Sequence, residues 1–418
     1  MQTQLADFIK DTPEGREAEA ILRNCVHCGF CTATCPTYQL LGDELDGPRG
    51  RIYLIKQLLE GHDVTEKTRL HLDRCLTCRS CESTCPSGVH YSRLADIGRN
   101  IVEQRVPRQG GERVKRWALR EFVPRAGLFG VAMQAGRAVR GLLPSSLQEK
   151  VPELRPAGQW PAPRHARRMI ALAGCAQPAM APSINTATAR VLDAIGISLV
   201  EPAGAGCCGA VRFHLNDQEG GRTDARRNID AWWPAIERGE IEAIVMTASG
   251  CGVQVKDYDH LLAQDPAYAE KAARVAALTK DVSEIVAAEG DRLAPLLEAK
   301  LGGQGSAGAK VAFQSPCTLQ HGQKIRGVVE KLLTAAGFEL TPVRDGHLCC
   351  GSAGTYSILQ PELSKQLRAN KLAALGEGGA GLIASANIGC MTHLQGGTAT
   401  PVRHWVELID ERLHGLPV

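Results

Sequence analysis

Cys25-Val-His-Cys28-Gly-Phe-Cys31-Thr-Ala-Thr-Cys35-Pro36 decides the reading, because residues 75–86 repeat it as Cys75-Leu-Thr-Cys78-Arg-Ser-Cys81-Glu-Ser-Thr-Cys85-Pro86. All four cysteines and the proline recur at an offset of 50 residues. Three thiolates in so short a loop wrap one iron–sulfur cubane. The fourth, where the proline turns the chain away, ligates the other cluster when two such motifs occur together. The spacing therefore predicts two [4Fe–4S] clusters. One is held by Cys25, Cys28, Cys31 and Cys85, the other by Cys75, Cys78, Cys81 and Cys35. Zinc also uses Cys-x2-Cys pairs, but it takes four ligands in two pairs, which the third cysteine and the Cys-Pro ending, present twice, do not fit. Gly29 and Ser80 are small residues beside ligands, where backbone N–H groups can approach sulfur and tune a cluster. His27 is read as an ordinary solvent-facing loop histidine.

Eight further cysteines form a second, looser repeat. Cys175, Cys207, Cys208 and Cys251 correspond to Cys317, Cys349, Cys350 and Cys390, at offsets of 142 for the first three and 139 for the last. Matched spacing across two halves argues for duplication. Met169–Ala173 and Val311–Phe313 read as strands ending at a cysteine, and Ala243–Met246 and Leu382–Ala384 as second buried strands. Thr188–Ile195 and Ile325–Ala336 read as amphipathic helices between them. Such alternation predicts a small parallel sheet in each repeat, with the cysteines gathered at strand ends. Three occupants fit the residues: an iron–sulfur centre, zinc or a redox-active thiol set, or nothing beyond a structural role. Two G-x-G-x-x-G matches, at Gly204–Gly209 and Gly303–Gly308, lack the strand–turn–helix context of a nucleotide fingerprint. No FAD or NAD is expected in this chain, so electrons must come from a partner.

The 418 residues carry 48 Lys+Arg against 45 Asp+Glu, which excludes a strongly basic nucleic-acid binder and an acidic disordered chain. No nucleic-acid partner is expected. The N-terminus lacks the apolar core of a secretory signal, and no stretch reaches the length of a membrane span. Sixteen cysteines in a reducing cytoplasm point to metal or redox chemistry, not to disulfides. Charge is uneven, since residues 105–168 hold 14 Lys/Arg against 4 Asp/Glu and seven prolines. This segment is read as covering the cluster domain or docking a partner protein in preference to lying on a membrane. The expected fold class is α+β multidomain. Residues 1–104 form a helical ferredoxin-like two-cluster domain and 105–168 a basic helical and Pro-rich linker. Residues 169–301 and 309–418 form two duplicated α/β cysteine-rich repeats, joined by a Gly302–Gly308 hinge. No Ser/His/Asp or Cys/His constellation stands out, so no catalytic residue is assigned.

The stretch CVHCGFCTATCPTYQLLGDELDGPRGRIYLIKQLLEG, the second motif HLDRCLTCRSCESTCPSGV, and NIDAWWPAIE, TASGCG and HLCCGSAGTY closely resemble the iron–sulfur subunits of glycolate oxidase (glycolate dehydrogenase). The likeness runs from about residue 15 to 410. It implies a multi-subunit oxidoreductase, peripheral at the inner face of the cytoplasmic membrane. Partner subunits would bind FAD and oxidise glycolate to glyoxylate, and this chain would pass electrons toward a quinone. The eight cysteines from Cys25 to Cys85 match the family's cluster ligands one by one. The wider group includes iron–sulfur subunits of other 2-hydroxy-acid and glycerol-3-phosphate dehydrogenases. The C-terminal repeats resemble the cysteine-rich (CCG) domains of heterodisulfide reductases, but Ala248 and Asn387 stand where a fifth cysteine is expected. A rival from another class is a thiol or disulfide reductase acting through the vicinal cysteines. A third is a structural scaffold.

Overall fold

The computed structural model describes residues 1–301 and 308–415, so the expected hinge lies outside the described residues except for Gly308. The chain divides into two compact units, Met1–Ala118 with His347–Lys371, and Leu119–Gly346 with Leu372–Val418.

The first unit is helical. Thr12 starts the helix Pro13–Asn24 by accepting from the Gly15 amide, with proline at the first turn, where its missing N–H costs nothing. The helix Pro48–Leu59 also has proline in its first turn, without a side-chain cap, and buries Ile52, Ile55, Leu58 and Leu59. Glu66–Asp73 delivers the second cysteine motif, with Leu72 buried and Leu70 left exposed. The long helix Tyr91–Arg105 contributes Leu94, Ile97, Ile101 and Val102 to the same core. Each fully buried aliphatic side chain there stabilises the unit by about 1.5–3 kcal/mol. Gly98 lets this helix approach the Pro48–Leu59 helix, since a Cβ would lie 2.7 Å from the Ile55 side chain.

In the second unit, β1 (Arg167–Ala171), β2 (Ile197–Val200), β3 (Ile244–Met246) and β4 (Thr279–Asp281) form one parallel sheet in the order β2-β1-β3-β4. A second parallel sheet contains β5 (Lys310–Gln314), β6 (Glu339–Thr341), β7 (Leu382–Ser385) and β8 (Val402–His404), in the order β6-β5-β7-β8. The two orders are the same, the three-dimensional counterpart of the cysteine duplication. In each sheet the first strand is central, paired with the second on one side and the third on the other. The helices Ser183–Ala194 and Gln218–Glu237 cross between strands of the first sheet, as parallel pairing requires. The fold is therefore α+β: a helical N-terminal part and two duplicated α/β repeats.

The basic segment contains the helices Gly110–Phe122 and Ala126–Ala138. On these helices Val114, Trp117, Leu128 and Val131 are exposed, while Met133 is buried. Among the described residues, no helix is long and apolar enough to cross a membrane.

Candidate metal centres

Both ferredoxin-type motifs are wound the same way. His27 and Gly29 have left-handed backbone (φ 54° and 86°), and Thr77 and Arg79, fifty residues on, share it (φ 51° and 59°). Each motif then runs into a short helix, Phe30–Ala33 or Ser80–Thr84, that carries its third cysteine. The left-handed pair curls the loop so that its cysteines surround one hollow, at a cost of roughly 1–2 kcal/mol for each non-glycine residue. The first hollow is lined by Cys25, Cys28, Cys31 and Cys85. The second is lined by Cys35, Cys75, Cys78 and Cys81. Each hollow has three cysteines of one motif, joined by Cys85 and also Cys81 of the other motif in the first hollow and by Cys35 in the second. Cys81 and Tyr91 line both hollows. His27 is half-buried against the Met1 sulfur, not turned fully to solvent.

The electrostatics of the two sets differ. Burial pushes the Cys25 and Cys81 thiols up, and burial together with Cys25 pushes Cys31 up to about 11. At Cys75, partly buried, burial also pushes upward, yet Arg51 and Arg99, with the Thr77 amide and the Tyr91 hydroxyl, outweigh it and hold the thiol below the ordinary value. Arg99 donates to the Cys75 carbonyl at 2.6 Å and to Thr77 Oγ1 at 2.8 Å, and the Thr77 amide donates to Cys75 Sγ at 3.4 Å. Arg51, 1 % exposed, donates to the His71 carbonyl at 2.7 Å and pairs with buried Asp46 at 3.4 Å. Asp46 also receives Arg74 at 2.8 Å. Among the described residues, which include all sixteen cysteines, no disulfide forms. Thiols gathered around two hollows without cross-links fit a cationic cluster that stabilises them as thiolates.

In the first α/β repeat, Cys175 follows β1, Cys207 and Cys208 follow β2, and Cys251 lies in the helix Ser249–Lys256 after β3. The four interact with one another: Cys175 and Cys208 bond the Cys207 sulfur, and Cys251 bonds Cys208. Those bonds, with the Gly209 amide 3.4 Å from Cys207 Sγ and Arg227 nearby, pull the Cys207 thiol well below its usual value. Cys175 and Cys208, donating to it, are pushed up. Burial and the Cys207 charge raise Asp224 to about 6. Asn228 donates to the Cys207 carbonyl at 2.8 Å, and Tyr258 to the Cys208 carbonyl at 2.9 Å. Cys317 follows β5 and Cys390 lies in the helix Ile388–Gln395 after β7, both buried. Cys349 and Cys350, also buried, belong to the stretch grouped with the helical unit. There the Gly351 amide meets Cys349 Sγ at 3.4 Å, repeating the Gly209 contact. Asn387, at a missing-cysteine position, caps its helix by accepting from the Gly389 and Cys390 amides at 2.9 and 3.4 Å.

Arg51, Arg99, Tyr91, Asn228 and Tyr258 were not singled out by sequence reasoning. None lies inside a cysteine motif, and only folding brings them to the thiols. The one signal in reach was the unusual density of arginine around helices of an otherwise neutral chain.

Residues 21–89 match the 4Fe-4S dicluster domain family, and residues 170–256 and 311–395 match the cysteine-rich domain family. The chain is 56 % identical to the glycolate oxidase iron-sulfur subunit of Escherichia coli K12 over 414 residues, 99 % of each chain. It is 32 % identical to the probable glycolate oxidase iron-sulfur subunit of Bacillus subtilis 168, across 91 % of this chain and 90 % of that one. Lactate utilization protein A of Bacillus licheniformis is 27 % identical over 241 residues, 55 % of this chain and 93 % of that protein. Two cysteine-lined hollows, two duplicated cysteine-rich repeats and near-complete coverage of these relatives place the chain in the family of glycolate oxidase iron–sulfur subunits.

Proposed function

We propose that this protein is the electron-transfer subunit of a glycolate oxidase complex, carrying electrons from an FAD-binding partner that oxidises glycolate to glyoxylate toward a quinone or other acceptor. The observation that supports this best is the arrangement of eight cysteines around two adjoining hollows. Cys25, Cys28, Cys31 and Cys85 would hold one [4Fe–4S] cluster, and Cys75, Cys78, Cys81 and Cys35 the other. Such clusters, when bound, supply reversible one-electron transfer.

The chain's own residues place and tune that chemistry. The left-handed turns at 27/29 and 77/79 fix the thiolates in two adjoining rings. Cys81 and Tyr91 line both hollows, so the two rings adjoin within one unit. Arg51 and Arg99 offset thiolate charge at the second ring, and the Thr77 amide donates to sulfur there. The apolar core around Ile52, Ile55 and Leu94 excludes water from the inner side of the unit. Cys175, Cys207, Cys208 and Cys251 form a further thiol site suited to a third centre. The mutual bonding of these thiols also favours a second reading, a dithiol reductase.

Reconstitution separates the readings. The anaerobically purified chain alone should reduce no dye with glycolate and cleave no disulfide. Adding the FAD-binding subunit should restore glycolate-dependent dye reduction, and Cys78→Ser should abolish it. Disulfide reduction by the isolated chain that is lost in Cys207→Ser would establish the reductase instead.

A further inference from the structure

Tyr91 is the first residue of the helix Tyr91–Arg105, is 4 % exposed, and lines both cysteine hollows. Its hydroxyl is buried with no oxygen or nitrogen partner among the described residues, and the group it reaches is the Cys75 thiol. Leaving such a group unsatisfied costs about 1–3 kcal/mol, and native folds rarely keep one without a use. Its charged and titratable neighbours are Cys75, Arg51, Arg99 and Cys81. Guanidinium groups have donors only, so among these neighbours only sulfur can accept the phenolic proton. Tyr258 gives the contrast within this same chain. It is an equally buried phenol beside cysteines, yet its hydroxyl donates to the Cys208 carbonyl at 2.9 Å and receives Asn228 at 3.1 Å. Tyr258 is built into the protein's own hydrogen bonds. Tyr91, lining both thiol rings, has only sulfur to donate to.

Resting on the two-cluster reading above, we infer that the Tyr91 hydroxyl donates to sulfur of the centre held by Cys35, Cys75, Cys78 and Cys81 and raises its reduction potential. Reduction adds negative charge, and a donor to sulfur stabilises the form with more charge on sulfur. Arg51 and Arg99 beside Cys75 act in the same direction. At the first hollow the neighbouring guanidinium is Arg49, which is only half-buried and paired with Glu44 at 2.6 Å. The two centres thus stand in unlike fields, and Tyr91 is the neutral donor that widens the difference.

The test is an EPR-monitored redox titration of the anaerobically purified full chain, wild type against Tyr91→Phe, with iron and sulfide measured on each. Phe keeps the ring packing and removes only the donor. The expected result is unchanged iron, a first centre that titrates as in wild type, and a second that becomes harder to reduce. A donor of ordinary strength gives roughly a tenfold fall in its reduced-to-oxidised ratio at fixed potential, or about 59 mV for a one-electron couple. If Tyr91→Phe loads less iron, Tyr91→Met, also apolar and without the donor, is read the same way. Unchanged potentials in a fully loaded variant overturn the inference, as do equal shifts of both centres. Loss of iron in both variants also overturns it, because Tyr91 would then be a structural requirement. A wild-type protein lacking two clusters would instead defeat the two-cluster reading itself.

Discussion

Cys85 lies ten residues after Cys75 in sequence, yet it lines the hollow of Cys25, Cys28 and Cys31. Cys85→Ser should therefore damage the first centre and spare the second, although the substitution sits in the second motif. Iron per chain and the surviving EPR signal read the outcome. Equal loss from both centres, or loss of the second alone, would contradict the crossed arrangement. Arg51 allows a stability prediction at the same scale. It is buried with Asp46, and removing one partner of such a pair leaves an uncompensated charge. Arg51→Met should lower stability by about 3 kcal/mol in urea unfolding, with Arg74 and His71 moderating the loss through their own contacts to Asp46. The crossed cysteine sets are what the spacing leads one to expect, because ligand geometry constrains spacing directly, and Cys85 and Cys35 line the hollows that this assigns to them. Arg51, Arg99 and Tyr91 were not, because each is brought to Cys75 only by folding, across 24, 24 and 16 residues of chain that no local pattern encodes.

At the scale of elements, the strongest strands could be read and the weakest could not. β1, β5 and β7 are apolar runs buried between neighbours, whereas β4 (Thr-Lys-Asp), β6 (Glu-Leu-Thr) and β8 (Val-Arg-His) are three-residue edge strands with no hydrophobic period. Their pairing comes from the sheet, not from the segment. The turn after each vicinal pair is a specific requirement. Gly209 and Gly351 have φ of 90° and 88°, and a Cβ would lie 2.6 Å from the Gly221 carbonyl oxygen or 2.5 Å from that of Ser364. Gly209→Ala and Gly351→Ala should each destabilise by about 2 kcal/mol or more, read as a lower urea midpoint. Two matched losses are expected because the turns are copies. The C-terminal helix Trp405–His414 adds a pH dependence. His404 caps it, receiving the Val406 amide at 3.2 Å, and its other ring nitrogen meets the Thr247 carbonyl at 2.9 Å. Burial lowers its pKa from 6.5 to about 4. The unfolded chain therefore binds the extra proton first. The stability this group contributes is complete above pH 6.5 and is lost as pH falls through 6.5 toward 4. Between pH 7 and pH 5 the loss should reach about 2 kcal/mol. His404→Asn, which keeps a capping acceptor without a titrating ring, should flatten that part of the profile.

Across the whole molecule, the composition that first read as neutral proves to be divided by function. Cysteine clusters mark the two kinds of centre, and arginine gathers where thiols are buried. The duplication was visible as offsets in the cysteines, and the structure gives it a body as two parallel sheets with one strand order. What sequence patterns missed is how the second vicinal pair is shared out, since Cys349 and Cys350 belong with the helical unit while Cys317 and Cys390 do not. Long-range partition of this kind arises from packing and leaves no periodic trace. The central claim, that the eight N-terminal cysteines hold two [4Fe–4S] clusters, is tested most directly by iron and acid-labile sulfide per chain in an anaerobic preparation, with EPR of the reduced protein. The account predicts about eight iron and eight sulfide from these cysteines, with two interacting cluster signals and any further iron belonging to the α/β repeats. An anaerobic preparation that contains zinc and no iron would contradict it.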